Sequence, residues 1–280
     1  MRRLLGAGRV ADGPIAAVSG RDRTVIVCCI LAIAAMAWGY LLYLDWQMSS
    51  ALEDASMARA MGMPTAMPGA ANILFLFGMW SVMMVAMMAG AVTPVVLLFA
   101  AVHAQRSGRR LPWLALAFGL GYAIVWIGFS ACAALAQWVL HQSAALSPVM
   151  AATGSLAAGL VLCAIGIYQL TPLKAACLAH CRSPLGFLMT HWRDGIVGAL
   201  RMGLWHGAYC VGCCWALMMA LFVVGVMNLL WVAALMLLVL IEKVGPAGNV
   251  VSRIAGAAMI GAGVFLLASA AATTSATMVP

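Results

Sequence analysis

The sequence predicts an all-α fold: a polytopic membrane helix bundle of about seven transmembrane helices, with a further helix lying along the cytoplasmic interface. Three observations lead there. Hydrophobic residues fill 66% of the 280 positions and charged residues only 8%, a balance found in membrane bundles rather than soluble domains. Apolar runs recur near the roughly 20 residues that a helix rising 1.5 Å per residue needs to cross a core about 30 Å thick. All but one of the Lys and Arg residues fall in alternate connecting segments.

The elements follow in order. Residues 1–22, with Arg, Gly, Ala and Pro14, are expected to be a disordered cytoplasmic tail. The first span falls near 25–44. The acidic stretch Leu44-Asp45-Trp46 after it lacks a small-x-small cleavage site, so it reads as an uncleaved anchor. The second, near 73–102, is overlong, and its Pro94 is placed to kink it or end its buried part. The third and fourth fall near 113–140 and 150–170. The fifth, near 202–226, is followed by a tight turn at Asn228 and a short sixth span near 229–241. The seventh lies near 254–270, and residues 23–272 read as a single membrane domain.

With the N-terminus inside, 14 of the 15 Lys and Arg residues fall on the cytoplasmic side. Only Arg59 lies outside, in a loop with Asp45, Glu53 and Asp54. This is the positive-inside pattern, and it requires an odd number of spans. The +8 net charge is thus a matter of orientation in a membrane whose inner side faces the cytoplasm. The expected partner is the lipid bilayer, with no nucleic acid.

Nine cysteines are present, and their placement is uneven. Cys28, Cys29, Cys132 and Cys163 are scattered through spans, where Cys serves as small apolar filler. Cys177, Cys181, Cys210, Cys213 and Cys214 crowd into 38 residues at or just inside the cytoplasmic face. That compartment keeps thiols reduced, so the group reads as ligands or redox-active thiols rather than structural disulfides. Thr171 and Pro172 signal a helix start, which puts Cys177 and Cys181 on one face of a short helix. Ser183 and Pro184 start an amphipathic segment running to Arg201, read as the interfacial helix. On the fifth span His206, Cys210, Cys213 and Cys214 fall within an arc of roughly 100°, bordered by Gly203 and Gly207, which permit close helix approach.

Thiolate and imidazole are ligands for Zn²⁺, Cu(I) or an iron–sulfur cluster. The stretch 79–88 adds a methionine face: Met79, Met83 and Met87, with Met84 and Met88 beside it. Thioethers select Cu(I), though methionine is also a flexible core filler. Copper(I) is therefore favoured over zinc. If the second and fifth spans touch, the two sets form a ladder of sulfur sites through the bilayer. Glu242 and Lys243 end the sixth span as an interfacial pair, or else Glu242, with His180, stands in a second shell behind the ligands. No phosphate-binding glycine loop, Ser/His/Asp arrangement or pump phosphorylation sequence occurs, so neither an ATP-driven pump nor any recognisable catalytic constellation is expected.

The stretches 168–184 (YQLTPLKAACLAHCRSP) and 191–219 (HWRDGIVGALRMGLWHGAYCVGCCWALMM), with the methionine run and EKVGPAG at 242–248, make residues 73–270 similar to a bacterial family of uncharacterised, predicted metal-binding integral membrane proteins. The resemblance implies that Cys177, Cys181, His206, Cys210, Cys213 and Cys214 are metal ligands. The function expected is copper(I) handling or transfer across the inner membrane, with a soluble metal chaperone or a larger membrane complex as partner. Two other readings stand beside it. One is a thiol–disulfide carrier cycling Cys210 and Cys213; the other is a non-catalytic subunit or assembly factor of a membrane complex.

Overall fold

The structure is a computed structural model that describes residues 20–60, 72–107, 110–142, 154–226 and 228–277. Most of the expected tail, residues 1–19, and the first residues of the expected fourth span, 150–153, lie outside the described residues. Ten helices are present and no strand occurs among the described residues. They are α1 (Gly20–Ala60), α2 (Ile73–Ser107), α3 (Leu111–Gln142), α4 (Ser155–Gln169), α5 (Pro172–Arg182), α6 (Pro184–His191), α7 (Gly195–Met219), α8 (Leu221–Val224), α9 (Leu229–Val244) and α10 (Gly248–Thr277).

Among the described residues, five helices are long and apolar enough to cross a membrane: the Gly20–Ala51 part of α1, α2, α3, α7 with α8, and α10. The count rises to six if α4 and α5, bent by 60° at Leu170-Thr171, form one span. The remaining expected span, the sixth, is α9, whose 16 residues reach about 24 Å at 1.5 Å per residue.

Three boundaries differ from expectation, each for a local reason. The α1 helix runs 41 residues, through the segment expected to be an outer loop. Residues 45–60 contain neither Gly nor Pro and include four Ala and two Met, all good helix formers. The α2 helix runs on to Ser107, past the expected residue 102, and Val95, Val96 and Phe99 stay buried beyond Pro94, so the proline does not end its buried part. The segment expected to run as one interfacial helix to Arg201 is divided. The α6 helix ends at His191, and Gly195, at φ 80°, begins α7 immediately after Asp194 in the N-cap position. Residues 195–201 are therefore the first turns of α7.

Other signals are realised as read. The Thr171 side chain accepts a bond from the Lys174 amide at 3.3 Å and Pro172 opens α5. Asn228 caps α9 by accepting from the Trp231 amide.

The buried core is built from α2, α3, α7 and α9. The α3 helix packs against both α2 and α7, and α5 and α9 lie against the same assembly. At the α3–α7 crossing Gly121 faces the Leu200 carbonyl and Gly203 faces the Phe118 carbonyl. A side chain at either position would meet backbone, so the absence of a Cβ sets the approach distance. The α4 and α10 helices form a second close pair, and most of α1 and α10 is exposed apolar surface.

Candidate metal-binding site

Four cysteines come together where α5, α7 and α9 meet. Cys181, Cys210, Cys213 and Cys214 are all buried. The Sγ atoms of Cys181 and Cys213 lie 3.9 Å apart, which joins α5 to α7 as the spacing of the sequence predicts. The Cys213 and Cys214 thiols donate to the Cys210 carbonyl at 3.1 and 2.9 Å. Cys177 is half-buried on the neighbouring turn of α5, and its Sγ would sit 2.8 Å from a Cβ at residue 212. Gly212 thus leaves room for that thiol, while the Tyr168 hydroxyl donates to the Gly212 carbonyl.

His206 lies one turn before Cys210, buried between Phe118, Tyr122 and Phe187 with ring centroids 5.2 to 6.1 Å away. Its Nδ1 has no hydrogen-bond partner among the described residues. Buried polar atoms in native proteins are nearly always satisfied, so this nitrogen is an available ligand held beside the thiols.

Charged groups surround the sulfurs. Lys174 on α5 pairs with Glu242 on α9, Nζ to Oε2 at 2.7 Å, and both side chains are almost fully buried. Gln169 joins them, donating to Glu242 at 3.3 Å and accepting from the Lys174 ammonium. Arg182, ending α5, donates to the Glu242 carbonyl at 2.6 Å and to the Pro246 carbonyl at 3.2 Å. These are carbonyls at and just beyond the α9 C-terminus, which a cation satisfies well. The two ends of α5 are thereby fixed to α9, and that holds Cys181 at its place against Cys213.

The sequence suggested Glu242 and Lys243 as an interfacial pair; instead they diverge. Glu242 takes Lys174, and Lys243 places Nζ 2.8 Å from the Cys210 sulfur. The Tyr122 hydroxyl reaches the same sulfur at 2.9 Å. A buried ammonium is tolerated only where another group compensates it, and Cys210 is the group provided. His180 lies on the exposed side of α5, stacked on Tyr209 at 4.3 Å with Nδ1 at the Ala176 carbonyl.

Met79, Met83, Met84, Met87 and Met88 are all buried on α2, each 2% exposed or less. Their helix packs mainly on α1 and α3, whereas α7 packs mainly on α3 and α5. The α3 helix stands against both, and the second and fifth spans meet directly near the end of the fifth, in α8. There Phe222 of α8 stacks on Trp80 of α2 at 5.4 Å, and Trp80 donates to Gln137 at 2.6 Å. Cys28, Cys29 and Cys132 are exposed, and Cys163 faces α10.

Among the described residues no group of three or more His, Cys, Asp or Glu is set to hold an ion. What is preassembled is one pair of thiols at 3.9 Å, with Cys210, Cys214 and His206 on the adjacent turns. Sequence reasoning missed Tyr122, Lys174 and the turn of Lys243 toward Cys210. The one available signal was Lys174, a turn before Cys177 on the same short helix.

Fold and site together define a class: a helical bundle with long apolar helices and a buried thiol–imidazole group braced by buried charge. A family model described as PpoB2: Copper chaperone matches residues 77–266, and the chain belongs to that family. The matched region includes the five clustered cysteines, His206, Glu242 and Lys243, and it agrees with the metal-related resemblance noted above. No curated protein and no solved structure matches the chain.

Proposed function

We propose that this protein is a copper(I)-handling integral membrane protein of the bacterial inner membrane, with its N-terminus in the cytoplasm. Copper is its cargo. Cys181 and Cys213 take the ion first, Cys210, Cys214 and His206 complete or exchange its coordination, and Cys177 stands at the rim. The methionines of α2 offer weaker sites farther along, and a soluble carrier or a membrane complex receives or supplies the ion.

The observation that carries the reading is the buried Cys181–Cys213 pair at 3.9 Å with the unpartnered His206 Nδ1 on the adjoining turns. Metal–thiolate bonds near 2.3 Å put two ligating sulfurs roughly 3.8 to 4.6 Å apart, from tetrahedral to linear, so the pair already stands at ligating separation. Thiolate, thioether and imidazole together favour Cu(I) among available metals. Membership of a copper chaperone family supports the same cargo, and five to six membrane-length helices support the location.

The test is metal analysis of purified protein loaded anaerobically with Cu(I) under reducing conditions. The wild type is expected to retain stoichiometric copper, and the Cys210→Ser/Cys213→Ser/Cys214→Ser variant to retain none. Equal copper in both proteins, or none in either, rejects the site.

A further inference from the structure

Where α6 gives way to α7, a cavity of about 390 Å³ is lined by His191, Trp192, Arg193, Arg201, Met202 and Trp205. A second cavity, of about 400 Å³, shares Arg193 and Arg201 with it. Neither guanidinium has a carboxylate partner among the described residues. Asp194, which lines the second cavity, instead accepts the Trp192 indole N–H at 3.0 Å. Two unpaired guanidiniums over a hollow form a receptor for an anion.

The floor of the first cavity has a different chemistry. Met202 is buried, 1% exposed, and begins a row at four-residue spacing that continues through His206, Cys210 and Cys214. All four lie within α7 and all are buried. Residues four apart on a helix have Cβ atoms about 5–6 Å from each other. Each soft ligand is thus a near neighbour of the next, from the cavity to the thiols. His191, on the cavity wall, adds an imidazole. The cationic rim would repel a bare Cu⁺ ion, yet the floor is made of groups that bind it.

One class of donor reconciles the two. A copper(I) ion held by two thiolates is an anion of charge −1. We propose that this cavity is the loading port of the copper site, and that it receives Cu(I) as an anionic thiolate complex of a small carrier. Arg193 and Arg201 hold the complex, and Trp192 and Trp205 cover its organic part. Met202, and then His206, take the ion toward Cys210. The step is a ligand exchange: two copper–sulfur bonds to the carrier break, bonds to the protein's sulfur and nitrogen form, and the two carrier thiolates leave, taking up any protons that the protein's thiols release on binding copper. Copper stays in the +1 state, so no oxidant or reductant enters. This inference rests on the copper-handling reading above.

The test compares the wild type with Arg193→Gln/Arg201→Gln in phosphatidylcholine nanodiscs, without anionic lipid and without oxygen. Copper(I) is offered either as its glutathione complex, an anionic donor, or as its acetonitrile complex, a cationic one. Loading is followed by the ultraviolet thiolate-to-copper absorbance. Electrostatic steering changes association rates by about 10-fold or more, so the double variant is expected to load at least about tenfold more slowly from the glutathione complex. Its rate from the acetonitrile complex should not fall, and the Arg193→Lys/Arg201→Lys variant should recover most of the first rate. Wild-type rates in the Gln variant, or equal slowing with both donors, overturn the port while leaving the copper site standing. Failure of the wild type to take copper from either donor removes the copper reading and the port together.

Discussion

Two buried sets of sulfur occupy this molecule in contrasting surroundings. The methionines of α2 are packed among apolar and aromatic neighbours, Leu76, Trp80 and Phe99 in the same core, and need nothing else. The cysteines of α7 are ringed by Lys243, Tyr122 and the Lys174–Glu242–Gln169 group. Apolar packing explains the first set without further assumption. It does not explain the second, because burying an ion pair is seldom a net gain over apolar residues of similar volume. On the proposed reading, the polar groups placed at a cost in stability belong to a thiol site kept for chemistry, and the methionine face is packing to which a ligand role would be added.

The contrast is sharpest at the Lys174–Glu242 pair. Lys174→Met leaves Glu242 buried without its partner, which is expected to destabilise the fold by about 3–5 kcal/mol. It should also free α5, so that Cys181 and Cys213 react faster with a maleimide. Unfolding in detergent and alkylation rates measure both, and an unchanged midpoint would mean that the pair braces nothing.

Tyr122→Phe keeps the ring against His206 and removes only the hydroxyl 2.9 Å from Cys210. Groups that orient a metal ligand from behind are worth roughly 10–100-fold in affinity. Copper(I) affinity measured by competition with a chelator is expected to fall toward the lower end of that range, with stability little changed.

The smallest effect is expected on the other side of the comparison. Met79→Leu/Met83→Leu/Met87→Leu conserves volume, and each such swap costs less than about 1.5 kcal/mol. Copper held by the cysteines should be unaffected, and only additional, weaker copper should disappear from a titration. Loss of the first copper in this variant would reverse the ranking of the two sets.

Much of the site was legible because it is local in sequence. The four-residue spacing of Cys177 and Cys181, the Thr171-Pro172 start signal and the arc from His206 to Cys214 each depend on helix geometry alone. The packing of α5 against α7 also followed, since a short chain joins them. What was not legible depends on distant contacts. Nothing in the spacing of Glu242 and Lys243 says that adjacent residues will reach opposite partners, Lys174 and Cys210, or that Tyr122 of α3 will meet a thiol 88 residues away. The ladder between α2 and α7 was reasoned from depth, and depth does not fix neighbours: α3 stands against both helices. The helix break at Trp192–Asp194 was hidden by an amphipathic pattern that continues across it, and Asp194 and Gly195 were its marks.

X-ray absorption at the copper edge, on protein loaded anaerobically with one Cu(I), tests the central claim most directly. A first shell of two or three sulfurs at thiolate distance, with or without one imidazole nitrogen, and its loss in Cys181→Ser/Cys213→Ser, is the expected result. A shell made of thioether sulfur alone or of oxygen and nitrogen, or a spectrum unaltered by removing Cys181 and Cys213, would contradict it.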